Sequence, residues 1–422
     1  MIILKDKKIV SKRFNIKDSH TIKVAKENGV YKTLDKLFTL EPKTIIDTIK
    51  ESGLRGKGGG GAITGTKWEY MPLDGKTTNF LAVNCDESEP GTFKDRQIIT
   101  KDPHLLIEGI INTSYAIKAN HAYIYIRGEY KEFMDILQNA VDEAYSERLL
   151  GKNILNKGFN LDITIHRGAG AYICGEKSAL LESMEGKRGH PRLKPHQKES
   201  EWYFDNPTLV NNVETIASVP FIIENGAKAY KEFGTKHSPG TLLFGISGHI
   251  NNPGIYEAEF GICMMDYINH YGGGIKNGKK LKAVIPGGAS TKILNVNEVE
   301  KAKLDYETMR ALGSSLGTGG MIVMDEDTNM VEALKNLLEF YHHESCGQCT
   351  PCRDGVGWAD TIMNNILSGV ANGADIDKIL EIAQTMNGKT ICVFAPAVSD
   401  VINGFITKFR DEFETYIQKD KS

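Results

Sequence analysis

Three cysteines stand two residues apart, twice in succession, in Glu344-Ser345-Cys346-Gly347-Gln348-Cys349-Thr350-Pro351-Cys352-Arg353. That spacing lets three thiolates converge on one face of a small cage. Zinc ribbons usually pair two C-x-x-C hairpins, so the triple run favours iron over zinc. Ferredoxin-type 4Fe-4S sites use the same run with a fourth thiolate from elsewhere. The only cysteine downstream is Cys392, in Lys389-Thr390-Ile391-Cys392-Val393. Cys346, Cys349, Cys352 and Cys392 thus make a complete set of soft ligands for one cluster. A zinc site and a set of buried free thiols are the alternatives. The chemistry expected is electron transfer.

Two glycine clusters point to a second cofactor. Gly53-Leu54-Arg55-Gly56-Lys57-Gly58-Gly59-Gly60-Gly61-Ala62-Ile63-Thr64-Gly65-Thr66-Lys67 contains a formal G-x-G-x-x-G. The residues before it look helical, whereas a Rossmann fingerprint follows a strand, and the lysine is misplaced for a P-loop. The loop still offers backbone that a ligand can approach, with N–H groups free for phosphate oxygens and Arg55, Lys57 and Lys67 close in sequence. The second cluster, Gly168-Ala169-Gly170-Ala171-Tyr172-Ile173-Cys174-Gly175-Glu176, follows a strand candidate and opens a helix whose N-terminus is expected to face a phosphate. Two polar islands, Asn84-Cys85-Asp86-Glu87-Ser88-Glu89-Pro90-Gly91-Thr92 and Asn211-Asn212-Val213-Glu214-Thr215, interrupt apolar text. Each alone reads most simply as a turn or cap. Together with the cluster they suggest a flavin mononucleotide and a dinucleotide at one α/β edge.

The elements that must position these groups follow from periodicity. Strands are expected at 79–84, 122–127 and 159–165, and helices at 40–49, 103–119, 132–149 and from about Lys177, an alternation that argues for an α/β layer. The character changes near Pro239, where short strands broken by Gly and Asn-Asn-Pro-Gly turns suggest a small α+β module. From Asn329 the chain reads as helical; Val331, Leu334, Leu337, Leu338 and Tyr341 form one stripe leading to the cysteines, with Gly347, Pro351 and Gly355 as breakers and a solvated helix and tail from Glu412. Domains are therefore expected at 1–238, 239–326 and 327–422.

The 422 residues carry 25% charged residues and a net charge of −3, which gives no sign of nucleic acid or anionic membrane as partner. No apolar run approaches the ~20 residues needed to span a bilayer, so direct membrane insertion is not expected. The first residues lack the regions of a signal peptide. Seven cysteines, four of them committed to the cluster, fit a reducing, cytoplasmic compartment. Cys85, Cys174 and Cys263 are expected to be small buried hydrophobes.

In this order, Ser-Gly-Leu-Arg-Gly, Asp-Glu-Ser-Glu-Pro-Gly-Thr-Phe-Lys-Asp-Arg, Gly-Ala-Gly-Ala-Tyr-Ile-Cys-Gly-Glu, Asn-Asn-Val-Glu-Thr and Glu-Ser-Cys-Gly-Gln-Cys-Thr-Pro-Cys-Arg resemble the flavin-containing, NADH-oxidising subunit of respiratory complex I. Relatives occur in NAD-linked hydrogenases and formate dehydrogenases. The resemblance runs from about Ser52 to Phe413. It implies an α/β flavin domain, a β-grasp-like module and a helical iron–sulfur domain. It also implies partners: a thioredoxin-like 2Fe-2S subunit and a larger iron–sulfur subunit.

By that resemblance FMN lies on the loop with Arg55, Gly56, Gly58, Gly59, Gly60 and Lys67. Asn84, Asp86, Tyr172, Gly175, Glu176, Asn211, Asn212 and Thr215 surround it. Glu89, the candidate catalytic carboxylate, sits beside the isoalloxazine and the incoming nicotinamide; Lys177 and Lys194 belong to the same cofactor-binding set. The family pattern also has departures here. Ala62-Ile63 replaces a Phe-Pro that stacks on the dinucleotide, His196-Gln197 follows Pro195 where a phenylalanine is usual, Lys177 replaces a glutamate, and Phe394-Ala395-Pro396 replaces Leu-Gly-Asp. These changes gather in the dinucleotide pocket. The expected function is electron transfer between NAD(H) or NADP(H) and a 4Fe-4S cluster by way of FMN. A relay subunit with a degenerate nicotinamide site and a zinc-stabilised binding module are the rivals.

Overall fold

The structure is a computed structural model that describes residues 8–193 and 201–418. Its first layer is a five-stranded sheet in the order β3-β2-β1-β5-β4, built from β1 (Asn79–Cys85), β2 (Ala119–Ile126), β3 (Asp162–Arg167), β4 (Glu201–Tyr203) and β5 (Asn206–Asn212). The first three and β5 run parallel and β4 is antiparallel. The direction of strand addition reverses between β1 and β5, so the crevice at their C-terminal ends is the site that such sheets offer to ligands. In register, Asn84 lies opposite Asn212 there. The three strands expected from periodicity all form. The central β5 was not foreseen, because Asn206-Pro207-Thr208 reads as a turn; Pro207 is tolerated where β5 pairs with the short edge strand β4.

Helices Pro103–Ala116 and Lys131–Ser146 pack on this sheet, and Pro42–Ser52 and Val219–Tyr230 pack on Pro103–Ala116 and on each other. Pro42–Ser52 precedes the first glycine loop, in keeping with a loop that is not a Rossmann turn. The N-terminal residues are tied down through buried side chains: Tyr31 and Glu143 flank the two ring nitrogens of His104 at 2.7 and 2.9 Å, and Glu108 accepts from the Thr33 hydroxyl at 2.6 Å.

A second, mixed sheet has the order β7-β6-β10-β8-β9, with β6 (Thr241–Gly248), β7 (Gly254–Glu259), β8 (Leu281–Ile285), β9 (Leu294–Asn295) and β10 (Gly320–Asp325). Beyond it come helices Met330–Glu344, Thr350–Leu367, Gly373–Met386, Phe394–Lys408 and Arg410–Gln418. Two expectations about breakers fail here. Pro351 opens a helix, where its missing N–H costs nothing. Gly355 lies inside that helix; a Cβ there would sit 2.8 Å from Met386, so the glycine permits close helix packing. Nor is the last helix merely solvated, since Phe413 is fully buried. Among the described residues no helix is long and apolar enough to cross a membrane.

One apolar core runs behind both the first sheet and the C-terminal helices. It joins Ala82, Tyr125 and Ile173 to Leu334, Tyr341, Val356 and Phe394. All seven cysteines are free; Cys85 and Cys174 are buried and Cys263 is half-buried.

Candidate functional site

A cavity of roughly 510 Å³ opens at the β1/β5 crevice. Gly58, Gly59, Gly60, Asn84, Asp86, Glu89, Tyr172, Gly175, Glu176 and Asn212, all expected from the sequence, line it. Asn84 reaches across the crevice and donates to the Gly175 carbonyl at 2.8 Å, while its own carbonyl accepts from the Asp86 N–H at 3.0 Å. Burial pushes the Asp86 carboxyl up to about 7, against the Ser88 hydroxyl and Arg127, which favour its charged form. Glu89 is raised by burial too; Tyr172 O–H donates to one of its oxygens and Ser290 N–H to the other, each at 2.6 Å.

The glycine loop is held from below by a buried ionic network. Lys57 Nζ lies 3.2 Å from Glu214 Oε1 and 2.8 Å from Ser218 Oγ. Lys94 Nζ lies 2.7 Å from Asp95 Oδ1, 3.1 Å from Asn212 Oδ1 and 3.0 Å from Glu214 Oε2, the last an ionic contact rather than a directed hydrogen bond. Two ammonium groups thus face two carboxylates. Thr215 accepts from the Lys57 N–H at 2.8 Å. Gly61 adopts φ +62°, and a Cβ there would strike the Tyr306 ring at 2.3 Å, so only glycine lets the loop close on the second sheet.

Other expected residues stand outside the cavity lining. Arg55 pairs with Glu307 at 2.8 Å and lies over the Tyr306 ring, serving as a strut. Gly56 donates its N–H to the Ala62 carbonyl at 2.8 Å. Lys67 donates to the Val210 carbonyl at 2.6 Å; burial, with repulsion from Lys177, lowers it to about 8. Lys177 is half-exposed and pairs with Glu201 at 2.5 Å. Asn211 is buried and its Nδ2 has no partner among the described residues. Ala62 and Ile63 are exposed. Lys194, Pro195, His196 and Gln197 lie outside the described residues.

The helix after the second glycine cluster, Lys177–Met184, does not present a free N-terminus to a phosphate. The Glu176 carboxylate already accepts from the Ser178 and Ala179 N–H groups at 2.9 and 3.0 Å. Sequence reading also missed the far wall, where Ser290, Thr291, Ser315, Gly317 and Thr318 come from the second sheet and Pro396, Ala397 and Asp400 from the C-terminal helices. Nothing in their spacing marks them.

Cys346, Cys349, Cys352 and Cys392 line one smaller cavity. Among the described residues no three metal-ligating side chains are grouped as a single ion requires. The four thiols instead line one space, reached from two separate segments of the chain. Cys349 Sγ accepts from the Ile391 N–H at 3.4 Å, and Cys352 Sγ lies 3.4 Å from Ser345 Oγ, a contact that opposes the upward push of burial on the Cys352 thiol. Burial raises the Cys392 thiol to about 11, against the Phe394 N–H; iron bound there would favour its thiolate. Ile173, Cys392 and Phe394 line both cavities and form the wall between them. The residues present fit both groups: a polar crevice with open glycine backbone suits FMN, and four thiols lining one cavity suit 4Fe-4S.

The Nuo51 FMN-binding domain model matches residues 49–221, the SLBB domain model 242–323, and the NADH-ubiquinone oxidoreductase-F iron-sulfur binding region 332–416. The F-type subunit of NADH-quinone oxidoreductase in Rickettsia bellii is 48% identical over 401 residues, covering 95% of this chain and 96% of that one. Its counterpart in Rickettsia massiliae is 45% identical over 419 residues, covering 99% of each. The fold matches the crystal structure of an NAD+-reducing NiFe hydrogenase in the H2-reduced state with TM-score 0.83 and 32% identity over 92% of this chain; the match spans 65% of the hydrogenase chain. The chain belongs to the family of F-type subunits of NADH-quinone oxidoreductase.

Proposed function

We propose that this chain is the subunit through which NADH electrons enter a multi-subunit oxidoreductase, passing by FMN to one 4Fe-4S cluster. The observation that carries the reading is the shared lining: Ile173, Cys392 and Phe394 face both the crevice cavity and the thiol cavity. FMN supplies the step that protein groups cannot, taking electrons as a pair and returning them singly.

The chain's own residues hold and orient. Gly58, Gly59 and Gly60 give the flavin close backbone approach, and Asn84, Asp86, Gly175, Glu176 and Asn212 offer amide and carboxylate groups to its polar edges. Arg55, Gly56, Lys67, Asn211 and Thr215 support that lining from behind. Glu89 and Tyr172 face the reacting edge, where the carboxylate orients the nicotinamide. Lys177 and Lys194 serve the dinucleotide; the Glu201 pair neutralises Lys177, which favours NADH over a 2′-phosphorylated nucleotide. Cys346, Cys349, Cys352 and Cys392 ligate the cluster.

The same reading takes 1–238 as the flavin domain, 239–326 as a β-grasp-like domain and 327–422 as a helical cluster domain. It takes a thioredoxin-like 2Fe-2S subunit and a larger iron–sulfur subunit as partners, on the cytoplasmic face. The anaerobically purified complex should contain FMN and reduce an artificial acceptor saturably with NADH. If NADH leaves the flavin oxidised in the intact complex, the relay reading replaces this one.

A further inference from the structure

The second sheet sends the loop Pro286-Gly287-Gly288-Ala289-Ser290-Thr291, between β8 and β9, directly against Glu89. Ser290 donates its backbone N–H to Glu89 Oε1 at 2.6 Å. Gly288 adopts φ +98°, and a Cβ on it would lie 2.5 Å from Glu89 Cγ and 2.7 Å from Oε1. The carboxylate therefore rests on glycine backbone, with no room for a side chain between. The loop is itself fixed at both edges. Gly288 N–H donates to the Gly320 carbonyl on β10 at 2.7 Å, Ala289 N–H to the Pro90 carbonyl at 3.0 Å, and Gly287 N–H to Thr291 Oγ1 at 3.1 Å. Tyr172 holds the other Glu89 oxygen from the first sheet's side. No described cation pairs with this carboxylate; its negative charge is met by the Tyr172 hydroxyl from one half of the molecule and by the Ser290 N–H and hydroxyl from the other.

We propose that residues 286–291 are the positioning element for Glu89, so that the second sheet, outside the flavin-domain match, is a working part of the nicotinamide site. The proposal rests on the reading that Glu89 faces the nicotinamide. Hydrogen bonds to the charged form favour that form and fix its direction. Removing the Ser290 donor, or pushing the carboxylate off Gly288, should make ionisation harder and its aim looser.

The test uses the intact complex with flavin and cluster in place. Gly288→Ala and Ser290→Pro are each made alone and in a Glu89→Gln background, and kcat/KM for NADH is followed against pH. Both single variants should retain flavin and iron and move the acid limb of the profile upward by about one pH unit. In the Glu89→Gln background neither should change the profile further. If Glu89→Gln alters NADH kinetics while both loop variants match the wild-type profile, the proposal is overturned. Loss of flavin from both loop variants would make the loop a wall of the flavin cavity and overturn it equally. If Glu89→Gln itself changes nothing, the placement of Glu89 fails, a result distinct from either.

Discussion

Glu214→Gln isolates the charge that holds the glycine loop. Glu214 is fully buried, as are Lys57, Lys94 and Asp95 at 1–3% exposure. Lys57 and Lys94 hold its carboxyl below the usual range despite burial, which acts to raise it. Glutamine keeps the shape and the oxygen that accepts from the Leu243 N–H at 2.9 Å, the link to β6. It leaves Lys57 without its ion-pair partner and Lys94 with Asp95 and the more distant Glu87. Breaking a buried pair in this way costs about 3–5 kcal/mol. At about 2–4 °C per kcal/mol for a domain of this size, the first unfolding transition should fall by roughly 6–20 °C, with faster flavin release. Glu214→Gln with Lys57→Met removes the uncompensated charge and should recover most of the loss. Calorimetry and flavin fluorescence on the four proteins complete the cycle. A single variant that melts within a degree or two of wild type, or a double variant worse than the single, would refute the argument.

Other substitutions test the remaining groups. Gly58→Val should expel FMN while iron is retained, because even a Cβ there lies 3.1 Å from Asn212 Cβ; stoichiometric flavin in that variant counts against the cradle. Cys392→Ser should deplete cluster iron whereas Cys85→Ser should not, as read by iron analysis and the visible spectrum. Glu201→Gln frees Lys177 from its 2.5 Å partner and should lower KM for NADPH relative to NADH; an unchanged ratio would place Lys177 beyond reach of the ribose. Burial raises Glu108 to about 7, above its unfolded value. The folded state thus binds more protons between about 4.3 and 7, and this group's contribution to stability is lost as pH rises through 7. Glu108→Gln should flatten the melting temperature of the cofactor-free protein between pH 5.5 and 8, and an unaltered slope would deny it that role.

What could be read from the chain alone was whatever repeats at short range. The cysteine run, the glycine loop and the island after β1 announce themselves because cage geometry and close backbone approach demand particular residues at fixed spacing. Strands β1 and β2 are apolar runs bounded by turns inside the sheet, and β3, at its edge, is marked by alternating apolar and polar residues. Strand β5 was hidden by Asn206-Pro207, a turn signal overridden by pairing with β1. Gly355 looked like a helix breaker because a sequence shows the missing side chain and not the methionine that fills its place. The Glu176 cap was hidden for a related reason: the same carboxylate serves equally as a ligand group or a helix cap, and only the backbone path decides. The far wall was illegible, since Ser290, Thr318 and Asp400 reach the cavity through long-range packing of three separate segments.

That packing also explains why a cofactor pair can be held at fixed separation without a rigid linker between its two sites. The thiol loop and the crevice loop are both short and polar, and neither alone would hold its place. Behind them Tyr172, Phe340, Tyr341 and Phe394 form a ring cluster with centroids 5.3–5.8 Å apart. Glu344, at the end of the helix that delivers the cysteines, accepts from the Tyr172 N–H at 3.1 Å. Phe394 is at once a member of this cluster, the second residue after Cys392 and part of both cavity walls. Rings in such edge-to-face packing tolerate little sliding. A displacement of the cluster relative to the crevice must therefore disturb a continuous core. The aromatic residue at 394, where the family pattern has leucine, is the member of this ring cluster that lines both cavities.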